Sequence, residues 1–248
     1  MNALVTLAIG SRGERIHSLT GPILRSYAGR CACDYIAIRE VKVSAEDPRF
    51  DKFQIYDLLA TYDRIIYLDA DILVMPDCPN LLELVPPERF GAYFDSNGGN
   101  GDAEDGLPDV RGDEIERYQR LCGQIGWKTT YFNSGVMVVQ ARHREMFDYR
   151  HGVVGPTRFP DQTCLNYRLQ SARFPWFDIG PTFNHFAAFN RSKRLYASRF
   201  ASNIIHYAGY NEYYPEASLE LQIERDIAIA YPKAAPADSR APAVIDPA

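Results

Sequence analysis

The chain has no apolar run of membrane-spanning length, and no basic leader precedes its first apolar segment, Met1-Asn2-Ala3-Leu4-Val5-Thr6-Leu7-Ala8-Ile9-Gly10. The first absence argues against a spanning helix, the second against a signal peptide. Positive charge is not in surplus either. With 27 Lys and Arg against 32 Asp and Glu, the formal net charge is −5, which argues against a general surface for nucleic acid or anionic membrane. The five cysteines (Cys31, Cys33, Cys78, Cys122 and Cys164) are odd in number and lack Cys-x-x-Cys spacing. Reduced thiols in a cytoplasmic protein are the simplest expectation. Asn190-Arg191-Ser192 fits the glycosylation pattern by letters alone.

What is present is an ordinary globular composition, 46% hydrophobic and 24% charged over 248 residues, long enough for one α/β domain with a large core. Strands are expected at Leu4–Ile9 and Asp34–Ile38, and an apolar one at Ile65-Ile66-Tyr67-Leu68. Between them, Gly10–Gly13 reads as a turn, followed by a helix carrying Ile16, Leu19, Ile23, Leu24 and Tyr27. Phe50–Tyr62 has helical spacing. This β-α-β-α-β order predicts a doubly wound, mainly parallel sheet flanked by helices. Further strands are expected at Phe90–Phe94, Gly135–Val139 and Asn203–Tyr207, and helices at Asp113–Cys122, Ala141–Tyr149, Asp161–Leu169 and Leu219–Ala230. Ser96–Gly112 is a long polar loop of the kind that serves as a functional lid. A single domain over residues 1–232 is expected, with Lys233–Ala248 an Ala/Pro-rich, disordered tail.

The most informative segment is Tyr67-Leu68-Asp69-Ala70-Asp71-Ile72-Leu73-Val74. A strand ending in Asp-x-Asp points two carboxylates into the crevice beyond its carboxyl edge, where open α/β sheets place ligands. Paired carboxylates suit Mg²⁺ or Mn²⁺, hard cations that share oxygen ligands with substrate phosphates. Three more segments carry polar residues at element ends: Tyr131-Phe132-Asn133-Ser134-Gly135, Pro160-Asp161-Gln162-Thr163-Cys164-Leu165-Asn166, and Ile204-Ile205-His206-Tyr207-Ala208-Gly209. Each alone has a structural reading: turn residues for Asn133 and Ser134, a helix N-cap for Asp161, a satisfied histidine at a strand end for His206, a solvated helix residue for Lys52.

In this order, together with Asp51-Lys52-Phe53-Gln54, the segments resemble glycosyltransferase family 8, the retaining sugar-nucleotide transferases. The resemblance runs from about Ala3 to Tyr214. It implies a GT-A-type, Rossmann-like α/β fold and a hexose moved from a UDP-sugar to an acceptor hydroxyl on a glycan, polyol, lipid-linked sugar or protein. By position it implies Asp69, Asp71 and His206 as ligands to Mn²⁺ or Mg²⁺. Lys52 would stand near the phosphates or sugar, and Asn133, Ser134, Asp161 and Gln162 would line the sugar pocket. Leu7 and Ala8 would touch the uridine through their backbone, with Ala70 and Gly209 completing the donor site. Gln162, nearest the anomeric carbon, is a poor nucleophile, so front-face attack is expected, with Asp161 as a covalent nucleophile the weaker option. No nucleic acid partner is expected, and a homodimer is compatible with this reading.

Two departures from the family pattern stand out. Glu212 occupies the place of a phosphate-gripping lysine, leaving Arg191, Lys193 or Arg194 as substitutes, and Ile9, Gly10 and Gly13 replace residues that hold the uracil, with Arg12 as a stand-in. These keep open a non-catalytic nucleotide-sugar binder or a donor hydrolase. A haloacid-dehalogenase-type phosphatase also begins with Asp-x-Asp, and Gly101-Asp102-Ala103-Glu104-Asp105 mimics its late acidic motif. That family, however, wants the pair on its first strand.

Overall fold

Alternation decides the central strands. In the computed structural model, which describes residues 1–94, 110–150, 152, 157–186 and 198–232, β1 (Asn2–Leu7) sends Ala3 and Val5 to one core and Leu4 to the opposite one. β2 (Asp34–Ile38) and β3 (Arg64–Leu68) pair with it in parallel on either side. In β3, Ile65 and Tyr67 face the first core and Ile66 and Leu68 the second. A strand apolar on both faces must be covered on both faces. Helix α1 (Gly10–Arg30) covers one side through Leu24, Tyr27 and Ala28.

β4 (Ile72–Val74) leaves this sheet, while β5 (Phe90–Phe94), β6 (Phe132–Gln140) and β7 (Trp176–Asp178) extend it in the order β2-β1-β3-β6-β5-β7. β6 runs antiparallel to both its neighbours and the other strands share one direction. The expected mainly parallel α/β architecture is therefore observed. β8 (His185–Phe186) and β9 (Ile204–His206) join β4 in a second sheet of order β4-β9-β8.

The short helices are α2 (Ile55–Leu58) and α3 (Leu81–Leu84), followed by the longer α4 (Val110–Cys122) and α5 (Pro160–Ala172). α6 (Tyr210–Tyr213) and α7 (Leu219–Ala230) close the described chain. Tyr207, Tyr210, Leu219 and Ile223 form a third core with Leu73 and Ile205, so the tyrosine-rich segment is used at least partly for packing.

The turn Asp69-Ala70-Asp71 joins the two sheets. Asp69 N–H donates to the Gly135 carbonyl of β6 (2.9 Å), whereas Tyr207 N–H donates to the Asp71 carbonyl (2.9 Å) and Ile72 pairs with His206. Thr20 of α1 clamps the middle of the turn through Ala70 O (2.7 Å).

Several expected elements differ. Gly10–Gly13 is the first turn of α1 rather than a separate turn. The Phe50–Tyr62 helix is a 3₁₀ segment (Pro48–Gln54) followed by one α turn, and within it buried Asp51 accepts through Oδ1 from Lys42 N–H (2.6 Å) and Val43 N–H (2.9 Å). Ala141–Phe147 is likewise 3₁₀, closed by a reciprocal Gln140–His143 cap. β6 begins at Phe132, so Asn133 and Ser134 lie within it, where its register with β5 shifts between Ala92 and Phe94. Such irregularities recur beside active sites because they re-aim side chains. The acidic stretch Asn97–Asp109, Arg191, Lys193, Arg194 and the tail Lys233–Ala248 lie outside the described residues.

Candidate active site

Asp69, Asp71 and His206 come together at the junction of the two sheets, one ligand atom from each within 4.8 Å of the others. His206 Nε2 lies 3.5 Å from Asp71 Oδ1 and 3.7 Å from Asp69 Oδ2. Tyr67 donates to Asp69 Oδ1 (2.6 Å), which leaves Oδ2 turned towards the histidine. His206 is nearly buried, the two aspartates half-buried. Burial works against ionising Asp71, but His206 and Lys52 more than compensate and hold its carboxyl below the usual range.

Lys52 connects this group to the helix α5 residues. Its Nζ lies 2.7 Å from Asp161 Oδ2, 2.9 Å from Ser134 Oγ and 3.6 Å from Asp69 Oδ1. Burial alone would lower the lysine pKa; Asp161 and Asp69 outweigh it and raise it. Asp161 is the second residue of α5, and Phe159 rather than Asp161 stands at the N-cap position. The expected capping role is therefore replaced by the ion pair with Lys52.

Gln162 Oε1 accepts from Asn133 Nδ2 and from Ser134 N–H, both at 3.0 Å. Gly209 adopts φ +66°, the left-handed region that favours glycine, as the chain turns from β9 into α6. At the end of β1, Ala8 N–H is committed to the Ile38 carbonyl (2.8 Å), so that amide is not free for a base. Glu212 reaches Arg158 Nη2 (2.7 Å) on the surface.

The donor set fits a divalent cation. Two carboxylates and an imidazole match Mn²⁺ or Mg²⁺ chemistry, and Lys52 leaves two negative charges uncompensated among Asp69, Asp71 and Asp161. The pocket is also kept clear by Gly135. A Cβ there would come 2.2 Å from His206 Cε1 and 2.8 Å from Asp69 Oδ2, closer than atoms can approach.

Sequence reasoning missed Asn184 and Thr20, which contact the site without a motif of their own, and read Tyr67 only as a strand residue of the Asp-x-Asp segment. Asn184, fully buried, accepts from His206 Nδ1 (2.7 Å) and donates to Asn133 Oδ1 (3.0 Å). Only its polarity beside a short strand marks it in the sequence.

The comparisons with known proteins address the family and the fold. A lipopolysaccharide 1,2-glucosyltransferase of Escherichia coli is 26% identical over 163 residues, covering 60% of this chain but 44% of that protein; the chain thus spans less than half of that relative's length. Two solved structures share the fold. One is a glycosyltransferase involved in glycosylation of the major capsid of PBCV-1 (TM-score 0.54, 13% identity, 90% of this chain and 98% of that one). The other is the galactosyltransferase LgtC in complex with donor and acceptor sugar analogs (TM-score 0.51, 17% identity, 93% and 95%). Residues 47–212 match the family model described as Glycosyl transferase family 8, a span that holds Lys52, the Asp-x-Asp turn, Gln162 and His206. The chain belongs to glycosyl transferase family 8, a family of glycosyltransferases.

Proposed function

We propose that this chain transfers a hexosyl group from a UDP-sugar to an acceptor hydroxyl, with retention of configuration and with Mn²⁺ or Mg²⁺ bound by Asp69, Asp71 and His206. The convergence of those three ligand atoms within 4.8 Å carries the reading. Relatives named for glucosyl and galactosyl transfer support a hexose. Bound there, the cation supplies positive charge against the diphosphate of the leaving nucleotide.

The remaining steps fall to the chain's own side chains. Lys52 adds a buried positive charge beside the sugar pocket. Asp161 orients a sugar hydroxyl while its carboxylate stays tied to Lys52 at 2.7 Å. A carboxylate held that way is a weak nucleophile, which favours front-face attack over a covalent adduct. Gln162, anchored by Oε1, offers its amide nitrogen at the anomeric side. The acceptor's proton then passes to the donor phosphate. Residues 1–232 form one catalytic domain on this reading. Cys31, Cys33, Cys78 and Cys122 are free thiols, in keeping with a cytoplasmic location, and no helix among the described residues is long and apolar enough to cross a membrane.

Glu212, an acid where the family pattern has a phosphate-gripping lysine, pairs with Arg158 instead, which together with the altered uracil-side residues supports the second, non-catalytic reading. Calorimetry of UDP, UDP-glucose and UDP-galactose, each with and without Mn²⁺, decides between them. Metal-dependent binding of UDP and one UDP-hexose, followed by turnover with an acceptor, is expected. No binding of any UDP species with Mn²⁺ present would overturn the donor assignment.

A further inference from the structure

Four polar side chains run from the metal histidine to the sugar pocket, and backbone donors fix the direction of every link. Gly135 N–H points at Asn133 Oδ1 (2.9 Å). A backbone N–H can only donate, so that atom of Asn133 is its oxygen. The atom of Asn184 that meets the same oxygen at 3.0 Å must then be its Nδ2, a donor. The other end of the Asn184 amide is therefore Oδ1, an acceptor, and it meets His206 Nδ1 at 2.7 Å. His206 must carry a proton on Nδ1, and Nε2 is the nitrogen it turns towards Asp69 and Asp71.

The same logic runs towards the sugar. Ser134 N–H requires an oxygen at Gln162, and the Asn133 Nδ2 donates to that oxygen as well. Asn133 thus uses one end of its amide for each direction. Asn184 is fully buried and His206 is 2% exposed, so water does not compete readily for these bonds. Asn184 itself is held at the end of the Pro181–Phe183 turn, its N–H donating to Pro181 O (3.1 Å), while Asn203 N–H ties Thr182 O to the start of β9 (2.8 Å).

We propose that Asn184 is a positioning residue that holds His206 in the Nδ1-protonated tautomer and ties the metal ligand, through Asn133, to the amide of Gln162. It rests on the metal and donor assignments made under Proposed function, but the tautomer itself is independent of both. In solution an imidazole exchanges its proton freely between the two nitrogens. Here the choice is made before any cation arrives, so metal binding need not pay for a tautomer switch.

Heteronuclear NMR of histidine-labelled, metal-free protein reads the tautomer directly. The wild type is expected to show His206 protonated on Nδ1. Asn184→Ala is expected to populate a form with a bare Nδ1 and to weaken Mn²⁺ binding about 10–100-fold, as loss of a ligand's orienting partner typically does. Asn184→Asp keeps an acceptor for Nδ1 but sets an oxygen against Asn133 Oδ1. It should retain the tautomer and hold Mn²⁺ affinity at or above wild type, since a carboxylate partner makes the imidazole more basic, while UDP-hexose binding falls relative to UDP. This second variant carries the test if the alanine does not fold. A wild type with no proton on Nδ1, or an alanine variant with unchanged Nδ1 protonation and Mn²⁺ affinity, would overturn the proposal. A locked tautomer released in Asn184→Ala, in a wild type that binds no Mn²⁺, would support the relay and refute the metal assignment alone.

Discussion

Lys52 and Asp161 form a buried ion pair, 2.7 Å apart, with side-chain exposures of 4% and 5%. One lysine stands between the carboxylate of Asp161 and that of Asp69 (3.6 Å). Removing the cation leaves acids with no compensating charge in a poorly hydrated site. Lys52→Met is therefore expected to cost about 3–5 kcal/mol in urea unfolding. The double variant Lys52→Met/Asp161→Leu should recover a large part of that loss yet stay inactive, separating the pair's structural share from its function. Equal stability of the single variant and the wild type would contradict the pairing.

Asp71→Asn keeps the shape of the turn, because the Asp71 carbonyl still accepts from Tyr207 N–H. It removes a ligand charge rather than an orienting partner, so Mn²⁺-dependent UDP binding should fall by more than about 100-fold. Circular dichroism should remain native. Calorimetry with unchanged UDP affinity in the presence of Mn²⁺ would count against the site.

Gly135→Ala is a steric test. The new methyl would meet His206 Cε1 and Asp69 Oδ2 at 2.2 and 2.8 Å, and both side chains belong to the ligand set. Mn²⁺ affinity should drop at least tenfold, on the order of the loss seen when ligand orientation is disturbed. The expected readout is the free Mn²⁺ signal in electron paramagnetic resonance, with retention of the wild-type value as the contrary outcome.

His143 supplies the pH dependence. Burial, with a smaller contribution from Arg142, pushes its pKa down from 6.5 to about 4. The folded state thus binds fewer protons than the unfolded state between those values. Its stability contribution is full above pH 6.5 and declines as the pH falls towards 4, by roughly 3 kcal/mol in all. His143→Phe should flatten that part of the stability profile in urea titrations at successive pH values. An unchanged slope would place the acid sensitivity elsewhere.

Much of the site was legible because its residues lie at element ends that hydrophobic patterning reveals. The apolar run before Asp69 and Asp71 reads as a strand, and the carboxylates follow from where that strand stops. The direction of β6 was not legible, since a strand's alternation is the same read either way. Nor was the 3₁₀ character of Pro48–Gln54, since apolar spacing does not separate a 3₁₀ segment from an α-helix over one or two turns. Lys52 looks like any helix-surface lysine until Asp161, over a hundred residues later, arrives beside it. Asn184 carries no periodic or motif signal, because its partners His206 and Asn133 are set entirely by tertiary packing.

The turn Asp69-Ala70-Asp71 crosses from one sheet to the other, with Asp69 bonded to β6 and Asp71 to the end of β9. A cation shared by Asp69 and His206 would therefore act as a rivet through a seam between two hydrogen-bonded units that otherwise meet through side-chain packing and the Asn184–Asn133 hydrogen bond. Opening the smaller sheet would require releasing the ion, so its binding energy would be added to the cost of that opening. Amide exchange at Ile72–Val74 and Ile204–His206 would slow on adding Mn²⁺, while β1, remote from the seam, would hardly change.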